Sequence, residues 1–172
     1  MILWMIKKLT TNDFKSVPWK NGGGNTCEIY QLTDPANPTN FLLRFSLATI
    51  SQSGPFSLFP HIDRTIILLN GDGIMMEFSD GHKKQLNIKY SPFNFSGEAA
   101  VNAILLNRQC EDFNVMVDRR WGTAQVMVQE IERFAASIPA YIFHFNDMCF
   151  YILAPGDTLE FPHQQTVIIT TL

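Results

Sequence analysis

Short runs of β-branched and aromatic residues, many of them followed by a glycine-containing turn pair, recur along this 172-residue chain. Regular punctuation of this kind is typical of a β-sandwich, jelly roll or barrel. Asp80-Gly81 separates IMMEFS from HKKQLNI and predicts a two-residue hairpin loop. The sequence therefore predicts an all-β protein with few short helices. The other turn pairs are Asn70-Gly71, Asp72-Gly73, Ser96-Gly97 and Pro155-Gly156.

Two segments have some helical character. Thr10–Phe14 is expected to form a short turn or helix, with Thr11, Asn12 or Asp13 as its N-cap. The run QEIERFAA from Gln129 has a helix-like composition, but TAQVMV before it reads as a strand. We therefore expect a strand there.

Composition excludes several classes of protein. A hydrophobic share of 46% and a charged share of 17% are those of a globular domain. The formal net charge is -3 and the basic residues are scattered, so nucleic acid is not an expected partner. Cys27, Cys110 and Cys149 are widely spaced and form neither a disulfide framework nor a CxxC metal motif. They favour a reducing compartment.

The N-terminal run MILWMIKKL has its charges after the apolar residues and no small-residue cleavage site. A buried first strand is the expected structure, and Met5 is an alternative start. No run approaches the ~20 apolar residues that a membrane span requires. We expect a cytoplasmic protein that does not engage membranes.

Two strands place arginines in the interior. In the run from Phe41 to Ile50, one predicted face carries Arg44 and Ser46 among small residues, and the opposite face is ordinary core. The run from Arg64 to Leu69 is apolar on both faces and is expected to be central in its sheet. A buried guanidinium needs a partner. Pairing within the chain to Glu28, Glu98 or Asp63 and capture of a ligand carboxylate both remain open.

Gly22-Gly23-Gly24 follows Lys20 and Asn21 and precedes the strand-like run TCEIYQL. A P-loop or a dinucleotide-binding turn requires a helix after its glycines, so neither motif fits. The glycines either allow strands to pack closely or form a loop at a pocket mouth, where backbone N–H groups bind an anion.

Several segments follow one another along the chain: PWKNGGGNTCEI, RFSLATI, GPFSLFPHIDR with the following TIILLNGDG, PFNFSGE and DFNVM. Together they resemble the HutD/Ves family. The C-terminal third resembles it only weakly. The sequence departs from the family pattern at His61, where glycine is expected, and at Leu43, where tryptophan is usual.

The resemblance implies an RmlC-like cupin fold with two jelly-roll lobes packed in one chain, a bicupin. The whole chain, 1–172, is expected to be one domain, with lobes near 1–110 and 111–172 and strands exchanged between them. The resemblance also implies a regulatory or metabolite-binding role in histidine utilisation, or a link to stress response.

Many cupins bind a metal through an H-x-H pair, a glutamate and a later histidine. Here Ser57, Phe59 and Arg64 occupy the corresponding stretch, and the four histidines form no such pair. We expect no metal and no cofactor.

The favoured function is metal-independent, non-catalytic binding of a small anionic metabolite, such as an N-acyl or N-formyl amino acid. One alternative is an isomerase or hydrolase using Glu28 or His61, and another is a structural or interaction protein with a packed interior. A homodimer is left open, and no catalytic residue is assigned. The expected ligand-binding residues are Lys20, Asn21, Arg44, Ser46, Phe59, His61, Arg64 and Phe93.

Overall fold

The computed structural model describes residues 6–172, and within this range the chain is almost entirely β-structure, with one 3-10 helix at Thr11–Asp13. All strand pairings are antiparallel. The strands are β1 (Lys7–Leu9), β2 (Lys15–Pro18), β3 (Gly24–Asp34), β4 (Asn37–Ile50), β5 (Gly54–Pro55), β6 (Ile62–Asn70), β7 (Ile74–Phe78), β8 (Lys83–Leu86), β9 (Phe93–Ser96), β10 (Val101–Leu105), β11 (Cys110–Asp118), β12 (Gln125–Ala135), β13 (Ala140–His144), β14 (Cys149–Leu153) and β15 (Thr158–Thr171).

The chain divides into two compact units. The large unit is Lys15–Thr123, and the small unit combines Ala124–Leu172 with residues 6–14. The division therefore lies after Thr123 rather than near residue 110, because β11 is an inner strand of a sheet in the large unit. The N-terminal strand β1 pairs with β14 of the C-terminal part of the chain, an exchange of a strand between the two parts of the sequence.

The large unit contains a six-stranded sheet, β2-β3-β4-β11-β6-β9, and a four-stranded sheet, β5-β10-β7-β8. Buried side chains from both sheets form one apolar cluster, in which Ile50, Ile66 and Leu68 meet Ile74 and Met76. Burial of such side chains is the main stabilising contribution to a two-layer fold of this kind. The other buried members of the cluster are Leu86, Val101, Ala103 and Cys110.

The small unit is built on the five-stranded sheet β1-β14-β13-β15-β12. Its core includes Ile142, Val167 and Ile169, each fully buried. The edge strand β1 is mostly exposed, so the prediction of a buried first strand is wrong for Lys7–Leu9, and residues 1–5 lie outside the described residues. No helix in the described part of the chain is long and apolar enough to span a membrane.

Several local predictions are confirmed. Asp80-Gly81 lies in a hairpin loop between β7 and β8 as predicted, but Phe78 N donates to His82 O at 2.8 Å, so the loop consists of residues 79–81 rather than of two residues. Gly81 has φ 89°, and its N donates to Phe78 O at 2.9 Å. The segment with helix-like composition is strand β12. The predicted 3-10 turn is present, but its cap is Thr10, whose backbone N donates to Asp13 Oδ2 at 2.9 Å.

Candidate ligand-binding cavity

A cavity of about 430 Å³ lies in the large unit, over one face of the six-stranded sheet. Its volume falls in the range of small-molecule pockets, roughly 300–1,000 Å³. The lining residues are contributed by β4, β6 and β11, by Thr26 of β3, by residues 18–21 and by residues 55–59. They are Pro18, Trp19, Lys20, Asn21, Thr26, Arg44, Ser46, Ala48, Ile50, Pro55, Phe56, Ser57, Phe59, Arg64, Asp112, Asn114 and Met116.

Strand register brings the two arginines to this cavity. β11 lies between β4 and β6, and Met116 is paired with Arg44 on one side and Arg64 on the other. Directly paired residues on neighbouring strands project from the same face of a sheet. The three side chains therefore form one row across the cavity floor, with a cation at each end.

Arg64 is 7% exposed and lies among aromatic rings. Its guanidinium carbon is 5.3, 5.5 and 4.7 Å from the ring centroids of Phe56, Phe59 and Phe95, distances of cation–π contact. Burial lowers the pKa of Arg64 to about 10; Asp112 opposes this shift and Arg44 adds to it. The side chain is therefore still a cation at neutral pH.

The hydrogen bonds of Arg64 leave one of its guanidinium N–H groups without an acceptor within residues 6–172. Nη2 donates to Asn114 Oδ1 at 3.3 Å, whereas Nε is buried and has no hydrogen-bond partner among the described residues. An unpaired buried donor of a charged group is costly, typically by more than the 1–3 kcal/mol estimated for a neutral group. The geometry suits an acceptor that enters the cavity.

Arg44 has a partner within the chain. Its Nε lies 3.3 Å from Glu28 Oε2, an ion-pair distance, although the two groups are not aligned for a hydrogen bond. The expectation of internal pairing is thus met for Arg44 with Glu28. Glu98 and Asp63, the other carboxylates considered for this role, pair instead with Arg119.

Asp112 is the acidic group of the cavity and is 1% exposed. Asn114 Nδ2 donates to its Oδ1, and its Oδ2 is buried without a partner among the described residues. Burial raises the pKa of Asp112 to about 7, a shift that the hydrogen bond from Asn114 and the charge of Arg64 both oppose. Near neutral pH this carboxyl group can gain or lose a proton.

Residues 18–21 line the cavity, and the three glycines that follow them have different structural roles. Gly22 has φ 73°, a conformation that favours glycine. Gly23 N donates to Asn21 Oδ1 at 2.9 Å, closing a tight turn. A Cβ on Gly24 would lie 2.3 Å from Thr49 O. Close strand packing is therefore the role of Gly24, and Lys20 and Asn21 of the same loop line the cavity.

The structure brings together six of the eight predicted site residues. Lys20, Asn21, Arg44, Ser46, Phe59 and Arg64 all line the cavity, and whether they bind a ligand stays a prediction. His61 and Phe93 are not among the lining residues. Glu28, considered as a catalytic base, also lies outside the lining and contacts it through Arg44.

His61 is exposed and occupies a tight turn with φ 67°. Its backbone N donates to Glu98 Oε1 at 2.6 Å, and Arg119 Nη1 donates to the same oxygen at 2.8 Å. Hydrogen bonds from Arg119 and Ser96 and from the His61 backbone hold the pKa of Glu98 well below its usual range. The positive φ at His61 is a physical reason for the glycine that the family resemblance leads one to expect there.

Phe93 belongs to an aromatic cluster rather than to the cavity wall. Its ring centroid is 6.4 Å from that of Phe78 and 6.1 Å from that of Phe95, and Lys84 Nζ is 5.2 Å from its ring. Phe93 and Phe95 are both on β9, and Phe95 contacts Arg64. Phe93 therefore packs against Phe95, which contacts Arg64, and does not itself line the cavity as expected.

Sequence reasoning missed the contribution of β11. Asp112, Asn114 and Met116 line the cavity from alternate positions of DFNVMVD. Their period of two was the available signal, since Phe113 and Val115 between them are apolar and buried. Trp19 was also missed as a lining residue; its Nε1 donates to Thr26 Oγ1 at 2.8 Å.

Within residues 6–172 no group of three or more His, Cys, Asp or Glu side chains is arranged to hold a metal ion. All three cysteines are free thiols. Burial raises the pKa of Cys110 to about 12, so this thiol is not nucleophilic at neutral pH. The functional groups that line the cavity are guanidinium, ammonium, carboxyl, amide, hydroxyl and aromatic groups.

The model of the HutD family matches residues 11–166, including the C-terminal segment whose resemblance is weak by inspection. The chain is 37% identical over 111 residues to an uncharacterised 21.2 kDa protein in the hutC 3′ region of Pseudomonas putida, covering 64% of this chain and 57% of that protein. It is 36% identical over 122 residues to Protein Ves of Citrobacter koseri, covering 69% of this chain and 62% of the relative. The chain thus spans about three fifths of the length of these curated relatives.

Solved structures resemble the chain over nearly its whole length. A conserved protein of unknown function from Pseudomonas aeruginosa PAO1 has a TM-score of 0.78 at 23% identity, covering 97% of this chain and 98% of that one. HutD from Pseudomonas fluorescens SBW25, determined in a formate condition, has a TM-score of 0.77 at 22% identity, with 97% of each chain covered. YhhW from Escherichia coli reaches 0.67 at 10% identity, covering 98% of this chain and 97% of that one. These likenesses concern the fold, and the predicted all-β fold is confirmed.

Proposed function

The chain belongs to the HutD family, and from that premise we propose that its cavity binds a small carboxylate without a metal. The observation that carries the proposal is Arg64, a buried cation that lines the cavity and whose Nε has no hydrogen-bond partner among the described residues. A carboxylate satisfies such a guanidinium fork through two parallel hydrogen bonds.

The charge in the cavity favours an anion. Arg44, Arg64 and Lys20 line it, and among its lining residues the acidic one is Asp112. Arg44 contributes to the lowered pKa of Arg64, which means that the two cations repel one another. A bound anion between them would relieve this repulsion, because each cation would gain an opposite charge at short range.

The aromatic and apolar walls set the size and character of the ligand. Phe56 and Phe59 line the cavity in contact with Arg64, and Pro55 also lines it, so a ligand with a short apolar or planar body fits better than a bare inorganic ion. An N-acyl or N-formyl amino acid or an intermediate of histidine breakdown has that form.

The biological role that we propose is regulatory binding of a metabolite in histidine utilisation. The support is the family assignment, together with a relative described as a protein in the hutC 3′ region. A ligand sensor needs a preformed pocket. That requirement matches a cavity lined by guanidinium and aromatic groups, with the earlier candidate bases Glu28 and His61 outside its lining.

The test is ligand-induced thermal stabilisation with formate, acetate, N-acetylglycine, N-formylglutamate and urocanate, each with and without a chelator. A ligand at ~100 times its Kd adds about 2.7 kcal/mol to the free energy of unfolding and raises the Tm of a chain of this size by about 5–10 °C. We expect this shift with at least one carboxylate, and we expect it to survive the chelator.

The matched variants are Arg64→Met and Arg133→Met. Arg133 is exposed and pairs with Glu160 in the small unit, so its loss should leave the Tm shift intact. Arg64→Met should abolish the shift while the protein remains folded. An equal shift in both variants, or no shift in the parent protein with any of the five acids, would overturn the proposal.

A further inference from the structure

Asp112 occupies a position in the cavity that is unfavourable for a second negative charge. Its carboxyl group is 1% exposed and lines the same cavity as Arg44 and Arg64. Asn114 satisfies Oδ1, and Oδ2 is left without a partner among the described residues. A buried carboxylate oxygen without a donor is strongly disfavoured, whereas a protonated oxygen can itself donate.

The charged and titratable groups around Asp112 come from several strands. β6 contributes Arg64, which reaches the carboxyl group through Asn114, and β4 contributes Arg44, which is paired with Glu28 of β3. On β11 itself, Cys110 interacts electrostatically with Asp112 and with Glu111. The loop before β3 adds Lys20 to the cavity.

A carboxylate bound by Arg64 would compete with Asp112 for the same positive charge. The free cavity can hold Asp112 as an anion because Arg64 is nearby, and the charge of Arg64 favours that form. Once a ligand anion is hydrogen bonded to Arg64, Asp112 faces a like charge inside a site of low dielectric. Two carboxyl groups in one buried site do not both remain ionised, so one of them keeps a proton.

We infer that the cavity binds its carboxylate together with one proton, which Asp112 takes up at its unpartnered oxygen. The inference rests on the proposed function and assigns to Asp112 the control of when the site is occupied. The proton comes from solvent, and no bond within the ligand is made or broken. The neutral Asp112 then donates from Oδ2 into the cavity, where an oxygen of the bound ligand is the acceptor.

The competing interpretation is that Asp112 stays ionised and binds a positively charged part of a zwitterionic ligand. The two interpretations predict opposite pH dependence. Proton uptake makes the affinity fall as the pH rises above the pKa of Asp112, by up to about tenfold per pH unit for one proton per ligand. An ionised partner makes the affinity fall as the pH is lowered.

The experiment is calorimetric titration of the full chain with sodium formate and with N-acetylglycine at pH 5.5 and pH 8. Each titration is repeated in two buffers of different ionisation enthalpy, because the difference in observed heat gives the number of protons exchanged. Both ligands remain ionised over this range, so any proton belongs to the protein. We expect uptake near zero at pH 5.5, uptake approaching one proton at pH 8, and weaker binding at pH 8.

Asp112→Asn is the diagnostic variant, and Asp72→Asn is its matched control. The amide introduced by Asp112→Asn donates as a protonated carboxyl group does, so we expect equal affinity at both pH values and no proton uptake. Asp72 is exposed, and the same loss of charge there should leave the pH dependence intact. The buffer comparison on the parent protein decides the question even where Asp112→Asn fails to fold.

The outcomes separate this inference from the proposed function. Binding with no proton exchange and constant affinity at both pH values overturns the role of Asp112 and leaves carboxylate binding in place. Binding that strengthens towards pH 8 also overturns it, in favour of an ionised Asp112. Absence of binding by every carboxylate of the thermal panel at both pH values overturns the proposed function, and this inference falls with it.

Discussion

Arg64 and Asp112 are linked through Asn114 rather than by direct contact. Arg64 Nη2 donates to Asn114 Oδ1 at 3.3 Å, and Asn114 Nδ2 donates in turn to Asp112 Oδ1. Within the described part of the chain, Arg64 makes no ion pair. The amide keeps a buried cation and a buried acid close without neutralising either, which leaves both available to a ligand.

The buried carboxyl group makes the stability of the protein depend on pH. The pKa of Asp112 is about 7 in the folded protein and near 3.8 in the unfolded chain. Between these values the folded state holds a proton that the unfolded state lacks, so the free energy of unfolding falls as the pH rises through this window. From pH 5 to pH 7 this contribution amounts to about 2–3 kcal/mol.

Asp112→Asn should remove that dependence. We expect the variant to be more stable than the parent at pH 8, because it has no buried charge, and to match it more closely at pH 5. Urea unfolding of both proteins at the two pH values measures the difference. Equal effects of the substitution at pH 5 and pH 8 would show that Asp112 does not change its protonation on folding.

Much of the fold was accessible from the sequence because local signals and tertiary structure agree. Glycine turn pairs mark the loops, and alternation in the run from Phe41 to Ile50 correctly separates Arg44 and Ser46 from the core residues. The division into units was not accessible in the same way. It depends on the pairing of β1 with β14, a contact between distant parts of the chain that leaves no local signal.

Asp112 and Asn114 show why the prediction of the cavity residues from sequence was incomplete. Asp112 and Asn114 lie in a run whose other residues are apolar, and the sequence does not reveal which strands flank it. Only the register fixes Asn114 beside Ser46 on β4 and Ile66 on β6. The predicted strands were enough to identify Arg44 and Arg64 as cavity residues. The order of the strands was needed to place Asp112 on β11 between them.

Gly24 tests whether the glycine run is needed for packing. A Cβ there would lie 2.3 Å from Thr49 O and 3.0 Å from the Trp19 ring, and a backbone oxygen cannot move aside cheaply. We expect Gly24→Ala to destabilise the protein by about 1–3 kcal/mol. The control is Gly54→Ala, where a Cβ meets nothing within 4 Å and the change should stay within about 0.5 kcal/mol. Similar costs for the two substitutions in urea unfolding would refute the packing explanation.

Ser46 tests the cavity by volume rather than by charge. It is 3% exposed and lies on the cavity floor, two residues from Arg44 on β4, so Ser46→Leu would fill cavity space without altering either arginine. We expect the carboxylate-induced Tm shift to be lost in Ser46→Leu. Without ligand, overpacking should lower the free energy of unfolding of this variant by about 1–3 kcal/mol. Ser46→Ala keeps the space open and should retain the shift, as followed by the same thermal assay. Retention of the shift in Ser46→Leu would mean that the ligand binds elsewhere.

His61 departs from the glycine expected in its family at a position where the backbone favours glycine. Its φ of 67° lies in the left-handed region, and the turn is held by the bond from its backbone N to Glu98 Oε1. That bond does not need the side chain, so His61→Gly should stabilise the protein by up to about 1 kcal/mol, after the entropic cost of glycine is deducted. His61→Ala removes the imidazole but keeps the Cβ, and it should give no such gain in urea unfolding. Equal stabilisation by both variants would assign the effect to the imidazole ring, and destabilisation by His61→Gly would show that the side chain stabilises the turn.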